Sequence, residues 1–275
     1  NANLIFSGSG GSRNLQITPA AGQSGITTIT VTVTATNGRT ATDTFDLTVI
    51  PPNASPIVTT TAGNLAYTEN DPATAIDPGL MVTDSDNADL TGATVAITAG
   101  FVSAQDTLAF INQLGITGNY NSGTGVLTLT GTTTLANYQT ALRTVTYANS
   151  SDNPTASRTI TFTATDGISI PGSATRGIAI TAVNDPPVNT VPGPQSTNEG
   201  TVKVFSSGNG NQISVADVDL GANPIKITLT ATNGTLTLAT TAGLLFTTGD
   251  GTADATMVFT GTLAAVNTAL DGMSF

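Results

Sequence analysis

Carboxylates are nearly the whole chemical repertoire of this 275-residue chain: 18 Asp and Glu stand against 7 Lys and Arg, with no Cys, His or Trp. That inventory excludes thiol and imidazole nucleophiles, a histidine base at neutral pH, zinc or iron sites of the usual N/S type, and disulfides. What remains open to the carboxylates is a hard, oxygen-seeking cation. Their spacing suits one. Asp84-Ser85-Asp86 and Asp217-Val218-Asp219 repeat an Asp-x-Asp step that lets one loop turn two carboxylates to one ion, and Glu69 and Glu199 are the only glutamates. Paired carboxylates also serve glycosidases, but aromatics are 5% with no Trp to stack on a sugar ring, and the acids fall in turn-like sequence. The chain reads as a non-enzyme.

A formal charge of −11 with two Lys and five Arg leaves no basic footprint for phosphate backbones or anionic lipid, so nucleic acid is excluded as a partner. No apolar run reaches the roughly 18 residues of a membrane span, so no membrane insertion is expected. Charged residues are only 9% while Thr makes up about a fifth of the chain, so solubility has to come from hydroxyls.

The elements that must position the acids are strands. Ile29-Thr30-Val31-Thr32-Val33-Thr34, Thr159-Ile160-Thr161-Phe162-Thr163 and Ile225-Lys226-Ile227-Thr228-Leu229-Thr230 alternate strictly, with one face buried and one wet. Asn37-Gly38, Asp166-Gly167 and Asn233-Gly234 lie between alternating segments as hairpin cues. Leu135 to Leu142 and Leu263 to Leu270 are predicted short helical turns, each behind a Thr able to cap it.

The chain repeats itself. Asn184-Asp185-Pro186-Pro187 echoes Asn53-Ala54-Ser55-Pro56 at an offset of 131, Glu199 echoes Glu69 at 130, and Asp217-Val218-Asp219 echoes Asp84-Ser85-Asp86 at 133. Ala269-Leu270 echoes Ala141-Leu142 at 128, and Thr163 to Gly167 echoes Thr34 to Gly38 at 129. The phase divides the chain into 1–52, the C-terminal part of a β-sandwich repeat; 53–183, a complete repeat; and 184–275, the N-terminal part of a further repeat whose last strands are missing. The chain opens on Asn1 without a leader-like segment and reads as a piece of something longer. Two readings of the ends stay open: a boundary cut through a longer chain, or ends that complement one another between molecules and build a filament.

Val183-Asn184-Asp185-Pro186-Pro187-Val188 resembles the inter-repeat linker of cadherin-like tandem repeats in very large secreted adhesins of Gram-negative bacteria. Gln105 to Leu108, Gly115 to Gly118, Gly125 to Gly131, Tyr138 to Tyr147 and Ser151 to Pro154 are similar to one subfamily of those repeats, and the resemblance covers essentially the whole chain. It implies an all-β fold of tandem Ig/cadherin-like β-sandwich repeats in an elongated array, seven strands per unit, outside the cell, with calcium (Ca2+) at the junctions. In that pattern the ligand roles fall to an early Glu, a linker Asn-Asp and an Asp-x-Asp of the next unit, here Glu69, Asn184, Asp185, Asp217 and Asp219.

Alternation of strand direction in a seven-stranded antiparallel sandwich sends turns to the two ends in turn. Glu69 and Asp152 then fall at the bottom of the complete unit, from which the linker leaves, and Asp84, Asp86 and Asp166 fall at its top. The second junction is expected to gather Glu69, Asp152, Asn184, Asp185, Asp217 and Asp219 in one small volume, where their charges repel unless a cation neutralises them. A plainer role for any single Asp is to form an Asx-turn. The first junction is poorer: its linker, Pro51-Pro52-Asn53-Ala54-Ser55-Pro56, has no acid, and only Asp84, Asp86 and Asp166 remain there. Asn149-Ser150-Ser151 and Asn233-Gly234-Thr235 match the glycosylation sequon, as a Ser/Thr-rich chain does by chance. The function expected is a calcium-rigidified extracellular spacer of a large surface protein, whose partners are neighbouring repeats of the same or an identical chain and, in an adhesive setting, a host or matrix surface. The alternative is a subunit or segment of a self-assembling filament or surface layer.

Overall fold

The computed structural model describes residues 3–9, 11 and 13–275. Its strands fall into three groups that share no sheet. The first comprises β1 (Asn3–Ser7) paired with β2 (Asn14–Thr18), and β3 (Gly25–Thr34) paired with β4 (Thr40–Val49), all antiparallel. Alternation decides the faces of the long hairpin. Thr28, Thr30, Thr32 and Thr34 stand opposite Asp46, Thr44, Thr42 and Thr40 on one face, where Thr28 donates to Asp46 at 2.7 Å. The other face carries Ile29, Val31, Val33, Phe45 and Leu47, and Val33 and Phe45 stay exposed.

The second group is a sandwich. Its strands are β5 (Ile57–Thr59), β6 (Leu65–Thr68), β7 (Thr74–Ala75), β8 (Met81–Thr83), β9 (Asp89–Ala99), β10 (Asp106–Ala109), β11 (Thr117–Asn121), β12 (Val126–Thr134), β13 (Thr146–Asn149), β14 (Ser157–Thr165) and β15 (Gly172–Thr181), with helix α1 (Leu135–Arg143) between β12 and β13. One sheet has the order β11-β12-β9-β14-β15-β6; facing elements are β10-β13-β7 and the pair β5-β8. Tyr67, Leu90, Val95, Leu127, Tyr138, Leu142, Tyr147, Ile160, Phe162 and Ile178 fill the space between, all buried.

There are more and shorter strands here than the seven expected: Pro72 and Pro78, which lack the N–H a ladder needs, bracket the two-residue β7 between β6 and β8, and Pro56 stands just before the three-residue β5. The antiparallel expectation is also corrected: β6 pairs parallel with β15, Leu65 opposite Ile178 through Thr68 opposite Thr181. At Gly131 the chain takes φ of +138° inside a register shift of β12, and the Tyr138 hydroxyl donates to its carbonyl, tying α1 to the strand.

The third group contains β16 (Val188–Thr190), β17 (Val204–Phe205), β18 (Ser214–Ala216), β19 (Ile225–Thr230), β20 (Leu245–Thr248), β21 (Thr256–Gly261), helix α2 (Leu263–Leu270) and β22 (Met273–Ser274). Its smaller core holds Val215, Met257, Phe259, Val266, Leu270 and Met273. Both helices are capped as their sequence predicts, the hydroxyls of Thr134 and Thr262 accepting from Asn137 N and Ala265 N at 3.3 Å each. The first group has no helix among its described residues.

Asn37-Gly38 and Asp166-Gly167 do turn hairpins, β3–β4 and β14–β15. Asn233-Gly234 does not. The chain after it bridges away, Leu236 to Asp254 and Thr237 to Ser274, and the Phe275 ring occupies the space a Gly234 side chain would need. Packing of the end of the sheet overrides the local turn cue there.

Candidate metal centre

Strand direction alone explains which acids meet. Glu69 follows β6 and the linker Asn184-Asp185 follows β15; since these strands run parallel, both leave the sheet at one end. Glu69 N donates to Thr181 O at 2.9 Å, and Val183 N donates to Glu69 Oε2 at 2.8 Å. β14 runs against β15 with Ser157 opposite Ala179, so the β13–β14 loop carrying Asp152 opens at the same end. In the third group β16 and β18 are antiparallel, Val188 opposite Ala216, which returns the Asp217–Asp219 turn to the linker. Asp185 N donates to Asp219 Oδ2, and Asn153 Nδ2 donates to Val218 O at 2.9 Å.

Carboxylate oxygens of Glu69, Asp152 and Asp185 lie within 4.8 Å of one another. Glu69 is 4% exposed. Its Oε2 is occupied by Val183 N, while its Oε1, like Asp185 Oδ2, is buried without a hydrogen-bond partner. No basic side chain compensates: among the described residues the two ion pairs are Asp106–Arg158 and Asp77–Arg176. A buried carboxylate oxygen without a donor is costly. Ligand oxygens at about 2.3–2.6 Å from a shared Ca²⁺ are at most about 5 Å apart, so the set fits one ion. Partial burial, then the charges of Asp152, Asp219, Glu69 and Asp217, push the Asp185 carboxyl above its usual range, as expected where negative charge is gathered without a counter-charge.

The other expected ligands contribute differently. Asp217 Oδ1 accepts from Asp219 N and Leu220 N at 3.1 and 3.0 Å, an Asx-turn that fixes the loop. Asn184 is exposed and braces the linker through Nδ2 to Asp185 O at 2.9 Å. Glu199, at the matching repeat position, is exposed.

At the opposite end of the second group the same logic gathers Asp84, Asp86 and Asp166. β5 and β8 are antiparallel, and β14 ends beside the start of β9. Ala54 N donates to Asp86 Oδ2 at 2.8 Å, matching Asp185 on Asp219, and Asp84 Oδ1 accepts from Asp86 N and Asn87 N, matching Asp217. Here, however, amides close the ring. Asn53 Nδ2 donates to Asp166 Oδ2 at 2.6 Å and Asn53 Oδ1 accepts from Asn87 Nδ2 at 2.7 Å. Asp166 Oδ1 is taken by Ile168 N and Ser169 N, and these donors hold its carboxyl well below the usual range. Asn53 and Asn87 thus occupy carboxylate oxygens at this end, while Asp84 Oδ2 stays buried without a hydrogen-bond partner.

Behind the first set of acids lies a buried polar cluster that the turn and repeat motifs do not mark. Asp106 and Arg158, each 2% exposed, are joined through Oδ2 and Nε at 2.8 Å. The signal was periodicity: Asp106 is in phase with Leu108, and Arg158 with Ile160, Phe162 and Ala164, so both point inward.

No family model matches the chain. Halomucin from Haloquadratum walsbyi (strain DSM 16790 / HBSQ001) is 39% identical over 162 residues, which are 57% of this chain and 2% of that protein. Among solved structures, extracellular cadherin domains 1–4 of protocadherin gamma B7 align over 95% of the chain and 56% of theirs at 13% identity and a TM-score of 0.32. PcdhgB3 EC1-4 aligns over 95% and 55% at 18% identity and 0.33, and the human desmocollin-1 ectodomain over 94% and 43% at 12% identity and 0.25. Scores that low carry no argument about function. The chain spans a small fraction of the halomucin it matches and about half of these ectodomain structures.

Proposed function

We propose that the chain is an extracellular, non-enzymatic spacer of a large surface protein, built from repeats divided at about residues 52 and 183, and that a calcium ion stiffens its second junction. The observation that carries this reading is the Glu69 carboxylate, buried, with one oxygen unpartnered and within 4.8 Å of carboxylate oxygens of Asp152 and Asp185. Glu69 and Asp152 come from one group of strands, and Asp185 from the linker that leads to the next. Bound there, Ca²⁺ supplies the positive charge that the cluster lacks, and Asp219 and Asp217 hold the linker and the following turn against it. A ligand set that pins the linker to one group, while Asp219 bonds that linker to the next, converts a hinge into a stiff joint, and binding to the folded form alone adds stability by mass action. The identity to halomucin supports the surface-protein setting.

Calcium titration calorimetry on the wild-type chain and on Glu69→Gln tests the site. Wild-type binding that falls at least tenfold in the variant is expected; equal binding by the two refutes it.

One observation favours a second reading, self-assembly. β19 is paired along one edge only, by β21, and Ile213, Ile225, Ile227 and Leu229 line a cavity of about 250 Å³ beside it. The corresponding edge of β9 is covered by β14, whose repeat counterpart is β3, so the β3–β4 hairpin of a second copy would supply the matching strands. Light scattering across a concentration series decides it: polymers support this reading and a monodisperse monomer ends it.

A further inference from the structure

The cluster behind the acids spans both loops that present them. Asp106 Oδ1 accepts from the Tyr147 hydroxyl and from Asn149 Nδ2, each at 2.7 Å; Oδ2 accepts from Arg158 Nε at 2.8 Å and from Val102 N at 2.7 Å. Burial raises the Asp106 carboxyl, but the donors outweigh it and hold it below its ordinary range, so it is ionised and fully occupied. From Asp106 the bonds run to the two ends of the segment that carries Asp152. At the near end Asn149 Oδ1 accepts from Ser151 N at 2.9 Å. At the far end Arg158 Nη1 donates to Thr155 O and Thr155 Oγ1 at 3.1 and 2.7 Å. A further branch reaches the other ligand: Asn149 N donates to the Tyr67 hydroxyl at 3.1 Å, and that hydroxyl donates to Asp71 O at 2.8 Å, bracketing Glu69 from residues two before and two after it.

Glu69 lies at the end of the six-stranded sheet, and the Asp152 loop crosses to that sheet from the three-stranded one. The backbone ladder holds the far side of that loop, Ile180 N donating to Ala156 O at 2.8 Å while Glu69 N donates to Thr181 O, and the Asn149–Tyr67 branch ties its near side to the residues around Glu69. We infer that Asn149, anchored on Asp106 and Tyr67, is a positioning residue for the cation site, setting the spacing of Glu69 and Asp152 before the ion arrives. This rests on the calcium reading above. Outer groups that orient ligands in this way typically change metal affinity 10- to 100-fold when removed.

The test uses the whole 275-residue chain and calcium chloride as the probe, with affinity measured by calorimetry well below the melting temperature. Asn149→Ala and Tyr67→Phe are expected to bind Ca²⁺ at least tenfold more weakly than wild type. Thr61→Ala removes a hydroxyl bond to buried Asp77; it is expected to lower the melting temperature with affinity unchanged, separating positioning from general destabilisation. In the metal-free state, hydrogen exchange at the Ser151 amide is expected to quicken in Asn149→Ala. Folded Asn149→Ala and Tyr67→Phe that bind as tightly as wild type overturn the positioning role and leave the calcium site standing. A wild-type chain that binds no Ca²⁺ overturns both.

Discussion

Arg158→Met exposes how much of the second group rests on one ion pair. The substitution keeps a long apolar stem but leaves the Asp106 carboxylate, 2% exposed, without its cation. Removing one partner of a buried pair costs about 3–5 kcal/mol, since the remaining charge is uncompensated. Three donors survive on Asp106, from Tyr147, Asn149 and Val102, so the lower figure, about 3 kcal/mol, applies here. Ile57 to Thr181 spans about 125 residues; at about 2.1 cal/mol/K per residue, that loss lowers the melting temperature of this group by about 11 °C. The assay is thermal and urea unfolding of wild type, Arg158→Met, Asp106→Asn and the double variant, followed through near-ultraviolet tyrosine signals. Because both singles break the same pair, the double is expected to cost about 2 kcal/mol less than their sum. Additivity within about 0.5 kcal/mol, or a shift below about 3 °C in Arg158→Met, would show that the Asp106–Arg158 pair is not coupled in this way.

Acidity acts on Asp106 and Asp185 with opposite signs. Asp106 is held below its unfolded value, so its contribution is complete above about pH 4 and is lost as pH falls through the lower folded value; acid melts should show that loss, and its absence in Asp106→Asn. Asp185 is raised, so in calcium-free solution acidification relieves the cluster, and calorimetry is expected to give weaker calcium binding as pH falls. Asn53→Ala opens the amide ring at the first junction; proteolysis around Ile50 to Pro56 is expected to rise by the same factor with calcium or with chelator. Gly131→Ala forces a side chain onto φ of +138° and to 2.2 Å from Gly115 O, and is expected to cost more than 1 kcal/mol in urea unfolding.

Much of this arrangement was legible in residue order. Threonine alternation gave the strands, Thr134 and Thr262 the helix starts, and the near-constant repeat offset showed that Asp84-Ser85-Asp86 and Asp217-Val218-Asp219 occupy equivalent turns. Glu69, Asp152 and Asp185 converge as the strand-direction argument expects, though through a parallel β6–β15 pairing it did not contain. Parallel pairing is a long-range choice with no local signature, which is why it escaped. The roles of Asn53 and Asn87 escaped because an amide that donates to a distant carboxylate looks, in sequence, like any turn asparagine. Asp106 and Arg158 escaped for a different reason: each sits on the buried phase of its strand, where charge is ordinarily read as solvent-facing unless the partner strand is known.

Small-angle X-ray scattering of the wild-type chain and of Asp185→Ala, each with excess calcium and with chelator, tests the central claim most directly. Chelation is expected to lower the maximum dimension and broaden the distance distribution of wild type, and Asp185→Ala to show the chelated profile in both conditions. Identical wild-type profiles with and without calcium would contradict it.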